Sequence, residues 1–255
     1  MRISVEELER AAALGWRATE EERLGDWLLR AAAGFTGRAN SALAAGDPGC
    51  PLPDALARVQ LWYASRGLPA MIGVPYPAGQ PAGSKLDRLL LRLGWPVRAD
   101  PATVMVAPAA KVAERARDSG TLHRTAVEFA PEPDAAWLGR YHYRGHDLPP
   151  IAMRVLMSAP WQSFASITSG GETIAIGRVA GAGDWAGLTA IEVDPRCRGR
   201  GVGSAVTAAL TARAAAAGYG RIYLQVTDDN TTARKLYQRL GFTDHHGYHY
   251  RVAPG

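Results

Sequence analysis

The stretch "VDPRCRGRGVGS", residues 193–204, sets Arg196, Arg198 and Arg200 among Gly199, Gly201 and Gly203. The preceding run reads as a strand ending near Val193, and the following Ala-rich run reads as a helix starting near Gly201. A glycine-rich turn at that junction can bind an anion. The first N–H groups of a helix have no partner inside it, and the helix dipole adds partial positive charge there. Glycine lacks the Cβ that would block approach, so backbone amides can close around a phosphate while Arg198 and Arg200 add charge. Each charge-assisted hydrogen bond contributes about 1.5–3 kcal/mol, so a few of them anchor a diphosphate.

Spacing separates this turn from other phosphate loops. No Gly-Lys-Ser/Thr triplet is present, which removes the Walker loop. The third glycine comes one residue too early for the dinucleotide fingerprint, and the strands before it read as a meander, not a βαβ unit. A disordered Arg/Gly RNA binder would repeat the motif and lack flanking structure, whereas this motif occurs once between predicted elements.

The remaining pattern is Arg-x-x-Gly-x-Gly, from Arg198 through Gly201 and Gly203, and a second motif follows it. "NTTARKLYQRLGF" matches Asn-x-x-Ala-x-x-Leu-Tyr-x-x-x-Gly-Phe at Asn230, Ala233, Leu236, Tyr237, Gly241 and Phe242. With both motifs in this order, residues 122–255 resemble the GNAT superfamily of acyl-CoA-dependent N-acyltransferases. The whole chain, with "GFTGRANS" early and "HHGYHYR" late, resembles actinobacterial GNAT proteins with a degenerate N-terminal GNAT-like half.

The resemblance implies an α/β (α+β) GNAT fold with a mixed, mostly antiparallel, splayed sheet flanked by helices. It implies acetyl-CoA as co-substrate, no metal, and direct attack by a primary amine in a ternary complex. The strand "TAIEV" is expected to part from "RIYLQV", leaving a gap in which the pantetheine arm pairs with exposed backbone. Ile191 and Val193 would supply main-chain bonds and apolar packing. Arg198, Gly199, Arg200, Gly201, Val202, Gly203 and Ser204 would hold the diphosphate, with Asn230, Ala233 and Tyr237 beside the cofactor. Tyr237 is the expected general acid for the departing thiolate, with filling of a helix–sheet interface as its structural alternative. Glu192 is the candidate base, turned to the opposite face from Ile191 and Val193 by strand alternation; an exposed carboxylate or an arginine partner is the alternative. Asn230 can also serve as a helix N-cap, a role compatible with lying near the cofactor. Cys197 lies in the phosphate-binding turn, out of reach of a thioester. His142 and His146 share the spacing of a zinc helix but lack its glutamate, and the glycine between them argues for a loop; His245, His246 and His249 fall in a turn and a last strand, so no metal is expected and an aromatic and imidazole wall facing the acceptor is the better expectation.

The elements that must position these residues follow from pattern. Residues 4–14 read as a helix with a Ser4/Glu7 capping box. "DWLLRAAAG" reads as a strand and turn, Pro53–Arg66 as a helix stopped by Gly67, 70–74 as a strand, Lys85–Leu93 as a helix stopped by Gly94, and 103–107 as a strand. Residues 109–121 read as a charged helical linker and carry the expected boundary between a degenerate domain, 1–115, and a catalytic domain, 122–255. "RTAVEFAP" reads as the next strand, with two short helices after it. Three strands of a meander follow, then the Arg/Gly loop, the helix 201–217, the strand "RIYLQV", the helix 230–240 and a last strand. Helix, Gly, strand, helix, Leu-Gly-aromatic, strand therefore occurs twice, with Leu93-Gly94-Trp95 standing where Leu240-Gly241-Phe242 stands. This points to an internal duplication. In the first copy "GDPGCPLPDA" takes the place of the Arg/Gly loop, and prolines lack the amides a phosphate needs, so one cofactor per chain is expected.

The totals of the 255 residues exclude several other classes. The 47% hydrophobic and 21% charged composition is that of a globular chain, not a disordered one. Cys50 and Cys197 are too few for a disulfide framework, and a cytoplasmic setting is expected. The acidic amino terminus lacks a signal-peptide core, and no apolar run reaches membrane-spanning length. The formal charge of +5 suits an anionic ligand, but no Lys/Arg run exceeds two residues and no aromatic–basic interleaving of an RNA-binding kind occurs, so no nucleic-acid partner is expected. A monomer or homodimer is expected. The alternative function is a GNAT-like module that holds acyl-CoA as a sensory or structural ligand without turnover.

Overall fold

The structure, a computed structural model, describes residues 3–79, 83–118, 126–142 and 148–254. One eleven-stranded sheet runs through it in the order β1-β2-β3-β4-β11-β5-β10-β9-β8-β7-β6. The first half contributes β1 (Glu20–Leu24), β2 (Trp27–Ala31), β3 (Ala42–Leu43), β4 (Met71–Pro77) and β5 (Ala102–Pro108). The second contributes β6 (Glu128–Ala130), β7 (Trp161–Ser169), β8 (Glu172–Ala182), β9 (Trp185–Val193), β10 (Arg221–Thr227) and β11 (Thr243–Val252). The helices are α1 (Val5–Gly15), α2 (Leu52–Ala64), α3 (Lys85–Arg92), α4 (Ala109–Asp118), α5 (Ala135–Arg140), α6 (Ala152–Leu156), α7 (Val202–Ala216) and α8 (Thr231–Arg239).

Strand β1 has no counterpart in the sequence reading. "EEERL" is a largely exposed edge strand, without the apolar alternation that marks a half-buried one.

The halves repeat each other in detail. Each contains one parallel strand pair, β3 with β4 and β9 with β10, bridged by α2 and α7 respectively. Helices α3 and α8 end in the same motif: Trp95 N donates to Leu90 O at 2.9 Å, and Phe242 N to Tyr237 O at 3.0 Å. The glycine between helix and aromatic residue has φ of 74° at Gly94 and 93° at Gly241, the left-handed region that such a helix end requires.

The halves also share the sheet. Strand β5 pairs with β10 of the second half, β11 pairs with β4 of the first, and β5 and β11 pair with each other at the centre. Each half's last strand therefore sits beside the other half's sheet. Helix α4, where the linker was expected, buries Val112 and Ala116 in the core beneath α7.

Alternation along β8 shows the two faces of the sheet. A Cβ at Gly177 would meet Leu210 and Val206 of α7, so this face carries α7. Next to it, Arg178 points the other way and bonds the carbonyls of Gly15 and Leu156, at the ends of α1 and α6. Helices α4, α7 and α8 cover the first face with an apolar core that includes Leu188, Ile222, Leu224 and Phe242. Helices α1, α5 and α6 cover the second. In the first half, Trp27, Val59, Tyr63, Ile72 and Leu90 form a separate core under α2 and α3. Among the described residues, no helix is long and apolar enough to cross a membrane.

Candidate active site

Strands β9 and β10 pair only over Trp185–Leu188 with Arg221–Leu224. Beyond Leu188 and Leu224 the two strands part, and the C-terminal half of β9 presents one edge without a strand neighbour. The parting coincides with a β-bulge. Thr189 faces Arg178 and Glu192 faces Ile176, so Ala190 and Ile191 together oppose Gly177 alone. Ala190 takes φ of 52°, the left-handed conformation uncommon for a residue with a Cβ. Nothing in the residues marks this bulge, because "TAIEV" reads as an uninterrupted strand.

On the α7 face, Ile191, Val193, Val202 and Ala233 pack against the core that contains Tyr237. Tyr237 is 9% exposed, stands edge-on to Phe242 at 5.9 Å between centroids, and has no hydrogen bond to its hydroxyl among the described residues. Burial pushes its hydroxyl up to about 12, so it is a proton donor throughout the neutral range. Glu192 lies on the opposite face, where it accepts the main-chain N–H of His142 at 3.0 Å and approaches the His142 ring nitrogen Nδ1 at 3.5 Å. His146 falls outside the described residues.

The Arg/Gly loop joins β9 to α7. Gly201 caps α7 with φ of 82° and makes no side-chain cap bond. Among the described residues, no hydrogen bond occupies the N–H groups of Val202, Gly203 or Ser204. Gly203 has a different role from Gly201. A Cβ there would stand 3.0 Å from Leu236 Cδ1, so this glycine lets α7 approach α8. Asn230 caps α8, its Oδ1 accepting from Ala233 N at 3.0 Å.

The arginines divide by role. Arg200 is exposed, and Arg198 donates from Nε to Val193 O at 3.2 Å, which ties the loop to the end of β9. Arg196 is bound at 2.8 Å to Asp194 and at 2.9 Å to Glu172. Asp194 also takes Arg140 at 3.1 Å and the N–H of Arg196 at 2.8 Å. The Arg196 hydrogen bonds hold the Asp194 carboxyl well below the usual carboxylate range. Asp194 is thus the anchor of the loop, and sequence reasoning missed it because its partner Arg140 lies on the distant helix α5.

The expected imidazole wall does not form on one surface. His246 is fully buried against Glu9 at 2.7 Å, and His245 bonds His246 and Ile3 O. His249 is buried with Asp87 at 2.8 Å. These histidines tie β11 to α1 and α3.

Chemically, the arrangement offers unpartnered amides at a helix start, an open strand edge leading from them, a buried protonated phenol on one side and a carboxylate on the other. The amides and the glycine-opened approach fit a diphosphate. The open edge fits an extended amide-bearing chain added like a strand.

Comparison with known proteins identifies the family and the fold. The family model described as probable histone acetyltransferase Rv0428c C-terminal matches residues 3–251. The chain is 31% identical over 260 residues to the probable histone acetyltransferase Rv0428c of Mycobacterium tuberculosis, covering 98% of this chain and 74% of that protein. It is 29% identical over 257 residues to the uncharacterized N-acetyltransferase YobR of Bacillus subtilis, covering 97% and 98%. Among solved structures, the GCN5-related N-acetyltransferase from Kribbella flavida superposes with a TM-score of 0.69 at 18% identity, over 98% of this chain and 95% of that one. A tandem GNAT protein from the clavulanic acid biosynthesis pathway superposes with a TM-score of 0.59 at 12% identity, over 80% and 70%. At these identities the two structures speak for the fold.

Proposed function

The chain belongs to the family of the probable histone acetyltransferase Rv0428c C-terminal region and is a GNAT-type acyltransferase, and from that premise we propose that it moves the acetyl group of acetyl-CoA to a primary amine of a small molecule, amino acid or peptide. The observation that carries this reading is the parting of β9 and β10 beside the unpartnered amides of Val202, Gly203 and Ser204.

In this reading the second half, residues 122–255, is the catalytic domain and the first, 1–115, its degenerate counterpart. The α7 amides, with Arg198 and Arg200, hold the diphosphate; Ile191 and Val193 pair with the pantetheine arm. Asn230, Ala233 and Tyr237 line the far side. Acetyl-CoA supplies the activated acyl group. Glu192 takes a proton from the incoming ammonium so that a neutral amine attacks directly in a ternary complex. Tyr237 hands its proton to the departing sulfur and is restored by the second proton, which the attacking nitrogen sheds as the tetrahedral intermediate collapses to the amide. The deep burial that keeps Tyr237 protonated supports that direction of transfer.

Acetyl-CoA is expected to raise the melting temperature of the purified protein, and paired Gly201→Asp and Gly203→Asp changes to abolish the rise. No stabilisation by any CoA thioester would sink the proposal. Stabilisation without amine-dependent thiol release would favour the sensory or structural module instead.

A further inference from the structure

On the face opposite α7, two guanidinium groups approach the indole of Trp16. The Arg38 carbon is 5.0 Å from the ring centroid and the Arg178 carbon 5.2 Å. Arg178 is wholly buried. It gives Nε to Leu156 O at 2.8 Å and Nη1 to Gly15 O at 3.1 Å and Thr189 Oγ1 at 3.4 Å, while its Nη2 has no partner among the described residues. A third guanidinium, Arg30, is 5% exposed and bonds Ser41 O and Oγ.

None of the three has a carboxylate within ion-pair distance among the described residues. Carbonyls at the ends of α1 and α6 supply partial negative charge to Arg178, but no net charge. Glu9 is held by His246 at 2.7 Å. Cations taken out of water without a counter-ion are costly, and a bound anion relieves that cost. A cavity of about 20 Å³ lies beside Arg30 and Arg38, lined also by Glu9, Trp16, Tyr248 and Tyr250; Arg178 does not line it. It has room for about one water or one carboxylate oxygen. Tyr248 donates its hydroxyl to Gln225 Oε1 at 3.1 Å, and burial raises both tyrosine hydroxyls above their ordinary value, so they stay protonated at neutral pH.

The position of this cluster gives it a function. Arg178 bonds Thr189, the residue before the β9 bulge, and lies on the same face of the sheet as α1 and α6. Arg38 comes from the first half of the chain, from the 3-10 turn Arg38–Asn40.

We infer that Arg38, which shares the Trp16 indole with Arg178, forms an anion subsite for the acceptor, so that the preferred amine carries a carboxylate. The identity of this ligand as an acceptor rests on the acetyl transfer proposed above. The first half of the chain then acts in acceptor selection without binding CoA. A lysine-rich histone segment, the acceptor suggested by the name of one relative, meets the wrong sign of charge here.

The test is calorimetric titration of the CoA-bound protein with a panel of amino acids, their carboxamides and a lysine-rich histone-tail peptide. At least one amino acid is expected to bind about tenfold or more tightly than its carboxamide. The gap should close in Arg38→Gln and reopen in part in Arg38→Lys, which keeps the charge and loses the fork. Absence of any acid-over-amide preference, persistence of the gap in a folded Arg38→Gln, or tighter binding of the histone-tail peptide than of every amino acid overturns the inference. Thiol release from acetyl-CoA in parallel samples reports separately on transfer: an anion preference without release would leave the subsite standing and remove the catalytic reading.

Discussion

Leu90 occupies in the first half the place that Tyr237 occupies in the second: the carbonyl of each receives the N–H of the aromatic residue that follows the helix-ending glycine. The helix end is the same in both halves, and the first half has a leucine where the second has the phenol. The first half also begins α2 with Pro51 and Pro53 where the second has Gly201 and Gly203. One acetyl-CoA per chain is therefore expected from calorimetric stoichiometry. Two equivalent sites would contradict the reading of the first half as degenerate.

Protonation of Tyr237 gives a pH dependence whose sign is fixed. Its folded value is raised from 10.0 to about 12, so the contribution to folding is present below pH 10 and lost as pH climbs through about 12. The acid itself is available throughout that lower range. A kcat profile should show no alkaline fall below pH 10 that disappears in Tyr237→Phe. Such a fall near pH 8 or 9 would mean that the hydroxyl titrates below its ordinary value of 10.0.

Asp194 and Gly203 support the loop in separable ways. Replacing Asp194 by Asn removes the charge that gathers Arg196 and Arg140, and acetyl-CoA affinity is expected to fall roughly tenfold. Gly203→Ala brings a methyl to 3.0 Å from Leu236, and should lower unfolding free energy by roughly 1–3 kcal/mol in urea. Leu236→Ala in the same chain should recover part of that loss. If Gly203→Ala weakens binding with no change in stability, the packing role assigned to Gly203 is wrong.

Exchange of β5 and β11 makes the halves interdependent. Residues 1–118 and 119–255 expressed separately should each lack a cooperative melting transition, and co-expression should restore one. An independently folded second half that binds acetyl-CoA would contradict this.

What the sequence made legible was local. The capping box of Ser4 and Glu7, the helix ends at Gly67, Gly94 and Gly241, and the meander before the Arg/Gly loop all depend on neighbouring residues. Strand exchange depends on which distant strands pair, and β5 and β11 look like ordinary last strands of their own halves. The bulge at Ala190 arises from register against β8, so "TAIEV" carries no trace of it. Arg178 in "IGRVAG" reads as an outward-facing polar position on a strand. Only the approach of α1 and α6 buries it.

The measurement closest to the central claim follows free thiol from acetyl-CoA in the presence of an amine panel, for the wild type and Tyr237→Phe, with acetyl-CoA affinity measured alongside. Amine-dependent thiol release is expected in the wild type, with a loss of about 10²-fold or more in Tyr237→Phe and little change in affinity. Tight acetyl-CoA binding with no amine able to raise thiol release above background would contradict the account.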